Sequence, residues 1–273
     1  VYYFAGNAKN NWVKFGGFYW KIIRTNHDGS VRMLYSGTSP DTTEGYIGTS
    51  EFNSTNNDPM HVGYMYGTSG TLASNRTNEN NSTIKGVIDS WYSNNLNSYT
   101  KYISTEAVYC NDRSLEDETN YPYSTSSTFF YAGRARINTK YKPTYDCINS
   151  KDAFSGSNTE AKLIYPISLM TADEMSYAGG TYGRNLTSPY AWYYLNSAGG
   201  SITGNKVWWS LSPVLWSNYS DVWFVAGSSS PGLINRERVY NSYGVRPVIS
   251  IKRDTLWSSG DGSAENPYEI VYN

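Results

Sequence analysis

In a chain of 273 residues, few groups could carry acid–base, nucleophilic or metal chemistry. The two histidines, His27 and His61, lie far apart with no Cys or His at ligand spacing, which argues against a zinc site. No Gly-rich phosphate loop precedes a helix pattern, and neither H-E-x-x-H nor G-x-S-x-G occurs. Asp112, Glu116, Asp117 and Glu118 form a local acidic run that could offer oxygens to calcium, although such runs are more often solvated loops. Asp173 and Glu174 follow Thr171 in the pattern Thr-Ala-Asp-Glu, and helix capping and the helix dipole account for them better than catalysis does. The sequence therefore reads as a protein that is not an enzyme, with no catalytic residues, no metal and no cofactor. Cys110 and Cys147 form either a disulfide or two unpaired thiols. The polar, loop-like sequence around both favours the bridge, which would stabilise a protein outside the cytosol by roughly 3–4 kcal/mol.

The elements that would position any site are mainly strands. Asn11–Phe15, Phe18–Arg24 and Val31–Tyr35 are β-branched and aromatic runs separated by Gly16-Gly17 and Asp28-Gly29, which reads as a β-meander. Residues 37–82, rich in Gly, Ser, Thr and Asn, read as long loops. Ile84, Val87, Ile88 and Trp91 fall at i, i+3, i+4 and i+7, predicting a helix over about 83–97 with Ser82 as N-cap. A capping box at Thr171 and Glu174 predicts a second helix, closed by Gly179-Gly180 and entered from a short apolar strand at Leu163–Met170. Further strands are expected at Phe129–Ala132, Val207–Trp209, Val222–Val225, Arg238–Tyr240 and Val245–Ile251. Two helices among many short strands predict an α+β domain without internal repeats.

Composition narrows the class of partner. A formal net charge of −1 gives no reason to expect nucleic acid or an anionic membrane. No run approaches the roughly 20 apolar residues of a membrane span, and the opening Val1-Tyr2-Tyr3-Phe4 reads as the middle of a strand, so the chain is expected to be cut from a longer precursor. The 27 tyrosines with scarce Lys and Glu suggest an extracellular, β-rich protein. Tyr serves binding surfaces well, but most of these tyrosines are explained by strands alone.

Three segments occur in order: Leu169-Met170-Thr171-Ala172-Asp173-Glu174, then Trp208-Trp209-Ser210-Leu211-Ser212-Pro213, then Gly244-Val245-Arg246-Pro247-Val248-Ile249. The series resembles the C-type-lectin-fold domains related to the formylglycine-generating enzyme family. The likeness is to the branch found in surface proteins of gut bacteria and in variable proteins of diversity-generating retroelements. The hairpin from Trp12 to Arg24 looks like the start of that domain, and Gly260-Asp261-Gly262-Ser263-Ala264-Glu265-Asn266-Pro267-Tyr268 looks like its end. The resemblance thus implies one domain over residues 1–273, with an α+β, C-type-lectin-like fold of two main helices, short antiparallel sheets and long loops.

It also implies that residues 214–243, between the Trp-Trp and Gly-Val-Arg-Pro motifs, are rewritten by adenine-directed mutagenesis. Asn codons altered in this way reach Asn, Ser, Tyr, Asp and Arg, whereas Trp216, Trp223 and Glu237 are out of reach. On this reading Trp216, Trp223, Val239 and Arg246 are scaffold. The ligand-binding residues are Ser217, Asn218, Tyr219, Asp221, Phe224, Asn235, Arg236, Arg238, Tyr240 and Asn241. Two departures matter. Cys110 and Cys147 lie far upstream of the C-terminal motif where the enzymes carry their catalytic cysteine pair, which counts against copper-dependent oxidation. The calcium-linked sugar motifs of animal lectins are missing as well.

The expected function is an extracellular ligand-recognition domain, adhesin- or receptor-like, secreted or displayed on a cell surface of bacterial or phage origin. Its partner is expected to be an unknown protein or other surface ligand, with protein favoured over sugar because Tyr, Trp and Arg make interface anchors. Nucleic acid and membrane insertion are not expected. A structural spacer module of a surface protein or pilus is the alternative. A carbohydrate-active enzyme is a third reading, which would need two carboxylates about 5–10 Å apart in a cleft.

Overall fold

The computed structural model describes residues 1–117, 127–185, 191–197 and 200–273. Strands β1 (Trp12–Phe15), β2 (Phe18–Thr25) and β3 (Val31–Tyr35) form the expected meander. Gly16 and Gly17 sit at φ 62° and 84°, the left-handed pair that a two-residue hairpin turn with native twist requires. Residues 37–82, expected as long loops, are mostly loop but also hold strand β4 (Thr49–Glu51), a short helix at Leu72–Asn75 capped by Thr71 and Ser74, and a two-stranded ribbon of Met65–Tyr66 with Asn80–Asn81.

Helix α1 (Thr83–Asn95) begins at Ser82, whose hydroxyl accepts from the Lys85 amide at 3.3 Å. Its buried ridge differs from the expected one. Ile84, Ile88 and Tyr92 face the core, while Val87 is 36% exposed and Trp91 is only partly buried. A ridge at i, i+4 and i+8 lets the Tyr92 ring pack on Tyr165, while Trp91 covers Phe18, Trp20 and Tyr35 from the side.

Strands β5 (Thr128–Phe130) and β6 (Ser168–Leu169) follow. The expected strand over Leu163–Met170 shrinks to β6, because Pro166 lacks an amide donor and the Leu163 amide is drawn to the Ser155 carbonyl. Helix α2 (Ala172–Tyr177) starts in a complete capping box. Thr171 accepts from the Glu174 amide at 3.1 Å, and the Glu174 carboxylate accepts from the Thr171 amide at 3.0 Å. Gly179, at φ 105°, ends it.

The remaining strands of the two larger sheets are β7 (Thr181–Tyr182), β8 (Trp208–Ser217), β9 (Ser220–Val225), β10 (Leu233–Arg238), β11 (Ser242–Gly244), β12 (Pro247–Ile251) and β13 (Tyr268–Glu269). The strand expected at Arg238–Tyr240 is displaced. It lies at 233–238, and Val239 and Tyr240 form a turn. Leu-Ile-Asn-Arg-Glu-Arg has no two-residue alternation of apolar side chains, so this strand is made by backbone pairing to β9 rather than by its own hydrophobic face.

Two larger sheets result, in the orders β6-β12-β3-β2-β1-β13 and β7-β10-β9-β8-β11-β4, with β5 added beside the C-terminal half of β8; two small ribbons pair Met65–Tyr66 with Asn80–Asn81 and Tyr109–Cys110 with Ala153–Phe154. With few helices, the chain is α+β and mostly sheet. One apolar cluster joins both sheets and both helices, from Val13 to Ile270. Cys110 and Cys147 are bonded, closing a separation of 37 residues that is worth about 4 kcal/mol. Among the described residues, no helix is long and apolar enough to cross a membrane.

Buried cations organise the loops between these strands. Arg246 donates to the carbonyls of Tyr35 at 3.1 Å and Tyr193 at 2.6 Å and to the Ser36 hydroxyl at 3.3 Å, the structural role expected for it. Burial pushes its pKa down to about 9, against the opposing pull of the Tyr193 and Tyr35 phenols. Lys21 donates to the carbonyls of Trp192 and Leu195 and lies 4.3 Å from the centre of the Trp12 ring. Arg113 pairs with Asp152 at 2.6 Å and donates to the carbonyls of Met65 and Lys151, tying residues 63–81 to residues 149–160.

Glu174 accepts from Arg24 at 2.9 Å and Arg32 at 2.6 Å. Burial alone would raise its pKa, but Arg32 and then Arg24 outweigh it and hold the carboxyl down to about 2 from 4.5. Its contribution is therefore present above pH 4.5 and lost as pH falls toward 2. The whole effect is on the order of 3 kcal/mol. Thermal melts from about pH 7 down to about pH 3 should show this loss in the native protein. Glu174→Gln should be less stable at neutral pH and show a shallower acid decline, and an unchanged slope would refute the assignment.

Candidate ligand-binding site

The expected ligand-binding residues lie on and around the β8–β9 and β9–β10 hairpins. Strands β8 and β9 join through Ser217, Asn218 and Tyr219, with Trp216 opposite Ser220 as the last pair. Asn218 sits at φ 61°, a left-handed conformation that Asn tolerates better than other side-chain-bearing residues. The Ser217 amide donates to the Tyr219 carbonyl at 3.1 Å, and Thr128 on β5 donates to the Ser217 hydroxyl at 3.0 Å. Ser220 is fully buried. Its hydroxyl donates to the Asp58 carbonyl at 2.7 Å and its amide to the Asn56 carbonyl at 3.1 Å, which fixes the hairpin on the loop below.

Strand alternation splits the expected set. In the β9–β10 pairing, Asp221 opposes Arg238 and Trp223 opposes Arg236 on one face. Val222 opposes Glu237 and Phe224 opposes Asn235 on the other. On the first face, Arg238 lies 3.9 Å from the centre of the Tyr219 ring and donates to the Tyr240 hydroxyl at 3.3 Å. Arg236 pairs with Asp221. Tyr219, Asp221, Arg236, Arg238 and Tyr240 are thus gathered into one cluster, with Tyr219 40% and Tyr240 39% exposed.

Asp221 is only 6% exposed and lies beneath Arg236, whose side chain is 43% exposed. Burial raises the Asp221 pKa, and the Arg236 hydrogen bond opposes that rise. Phe224 and Asn235 are not brought to this cluster. Phe224 packs against Tyr243 with ring centres 5.6 Å apart, and Tyr243 donates to Glu237 at 3.3 Å. Asn241 lies in the turn after β10, where its amide donates to the Arg238 carbonyl at 3.1 Å. The residues read as scaffold are all buried: Trp216, Trp223, Val239 and Arg246.

Several neighbours escape sequence reading. Tyr182 on β7 meets Trp223 edge-on with ring centres 5.2 Å apart, and Phe130 on β5 opposes Leu215 on β8 with Arg134 3.8 Å over its ring. Each joins the site through strand pairing across a long sequence gap, which leaves no local signal.

Elsewhere, Asp112 pairs with Arg136 at 2.8 Å and Glu116 with Arg134 at 3.3 Å, while Glu118 lies outside the described residues. Among the described residues, no group of three or more His, Cys, Asp or Glu side chains could hold a metal ion. His61 is buried against Tyr66, and burial lowers its pKa.

The left-handed turn makes a specific prediction about this surface. Asn218→Gly should leave stability within about 0.5 kcal/mol of the parent, whereas Asn218→Val should cost roughly 1–2 kcal/mol in chemical denaturation. Equal stability of the two variants would show that the turn is not strained. In comparison with known proteins, no family model matches the chain, and no curated protein or solved structure matches it.

Proposed function

We propose that the chain is an extracellular ligand-recognition domain, adhesin- or receptor-like, that binds through residues 214–243. One observation carries this reading. The β9–β10 hairpin buries Trp223, Val222 and Val225 while Tyr219, Arg236 and Tyr240 remain exposed on and beside it. Strand β10 is held by backbone pairing to β9, and beyond the buried Ile234 its side chains at 235–238 are only partly buried or exposed, so they can change with little loss of core contact. Tyr and Arg are the residue types that most often dominate binding energy at interfaces.

The proposed fold is C-type-lectin-like, formed by residues 1–273 as a single domain. The pairing of the opening hairpin with the closing segment supports it, since Val13 on β1 lies parallel to Tyr268 on β13. The proposed class is a variable protein of a diversity-generating retroelement, secreted or on the surface of a bacterium or phage. The Cys110–Cys147 bridge supports an oxidising environment. Asn218 also supports the class, because an Asn codon at a left-handed turn position combines mutability with tolerance of the backbone. DNA flanking the coding region should then contain a reverse transcriptase gene and a near-copy of this segment that differs at adenines.

Replacing Tyr219, Arg236 and Tyr240 together with Ala should abolish binding to the cognate partner. Tyr219 and Tyr240 are exposed, but loss of Arg236 leaves the buried Asp221 without its partner, so the triple variant should melt somewhat below the parent while keeping one cooperative transition. Unchanged partner affinity in surface plasmon resonance would refute the assignment of the site.

A further inference from the structure

Arg236 and Arg238 stand on one face of β10, but their charges are used differently. The guanidinium of Arg236 is engaged by Asp221. Arg238 is held by two rings instead, lying 3.9 Å from the centre of Tyr219 and 3.3 Å from the Tyr240 hydroxyl. Among the described residues, no carboxylate stands at ion-pair distance from it. A guanidinium carries five N–H donors, and Tyr240 takes one. The others remain available to a ligand. Stacking on Tyr219 restricts the rotamers of a long side chain before binding, so less entropy is lost when a ligand arrives.

We infer that the ligand bound by this surface is an acidic patch on a protein partner, with a carboxylate seated on Arg238 between Tyr219 and Tyr240. The inference rests on the ligand-recognition reading above. A carboxylate matches the planar donor fork of a guanidinium, and flanking rings exclude water from such a pair while contacting apolar groups beside it. An extended polyanion fits less well. Arg236, the other cation on this face, is already paired with Asp221, so a run of phosphates laid along β10 would find one unpaired guanidinium, which a single carboxylate satisfies. The formal net charge of −1 provides no wider basic field for a polyanion.

The test is to pan a phage-displayed random dodecapeptide library on the whole chain, with heparin and a short DNA duplex as competing polyanions. Selected peptides should be enriched in Asp and Glu and should bind Arg238→Gln at least about tenfold more weakly. Arg238→Lys should fall between the two, and added salt should weaken the parent complex. The melting temperature of each variant should match that of the parent. Peptides that require Tyr219 and Tyr240 yet lack acidic enrichment, and bind Arg238→Gln unchanged, would overturn the acidic ligand and keep the recognition site. Displacement of the peptides by heparin or DNA that itself depends on Arg238 would overturn it in favour of a polyanion. No selected peptides, or only peptides indifferent to Tyr219, Arg238 and Tyr240, would overturn the recognition reading itself and this inference with it.

Discussion

Arg246 and Lys21 are both buried and neither pairs with a carboxylate among the described residues, so their charges are met by backbone carbonyls. Desolvation disfavours the charged form of each, and Arg246 adds to the lowering at Lys21 by like-charge repulsion. The oxygens that compensate come from Trp192, Tyr193 and Leu195, three residues of one irregular segment, and from Tyr35 at the end of β3. This requirement fixes where that segment runs. It packs Tyr193 against Trp208, the first residue of β8, with ring centres 5.9 Å apart, and Arg246 lies 4.6 Å from the Trp208 ring. The placement of the second sheet, and of the surface at its far end, depends on this shell of carbonyls around two cations.

A second device, buried carboxylates paired with arginines, acts at Glu174 and Asp152. Arg24 and Arg32 converge on Glu174, joining the meander to the start of α2, while Arg113 and Asp152 join two long loops. Such groups are strongly destabilising when one partner is removed, because the other is left charged and buried. A protein of short strands and long loops gains defined loop positions from them. The partly exposed Arg238 belongs to another class: it rests on tyrosines, where a change of side chain leaves no buried charge behind.

Separation of core from surface follows from the geometry of one hairpin. Strand β9 is buried on both faces apart from Phe224, whereas β10 pairs with it on one side and meets β7 only at Leu233 and Ile234. Residues 235–238 therefore owe their conformation to the ladder, not to packing. Mutation at Asn235 or Arg238 acts on the surface and leaves the framework of Trp216, Trp223 and Val239 in place, whereas Arg236 also neutralises the buried Asp221.

Elements with a local physical cause were legible in the residues alone. The Gly-Gly turn, the Ser82 and Thr171 caps and the apolar meander are specified by groups only a few residues apart. The burial of Trp216, Trp223, Val239 and Arg246 agrees with the scaffold role that the family resemblance implies for them, not with any local signal. The helix ridge at Ile84, Ile88 and Tyr92 was not legible, because facing side chains from distant strands decide which of two adjacent stripes turns inward. Strand β10 lies away from the Arg238–Tyr240 run because polar side chains carry no two-residue signal when the partner strand supplies the pairing. The sequence by itself thus determined the turns, caps and apolar runs, since these depend on local backbone preference and side-chain chemistry. Only the tertiary structure decided which polar residues stand together, with Arg238 placed between Tyr219 and Tyr240 and Phe224 and Asn235 set on the opposite face, because face and partner are set by long-range strand register.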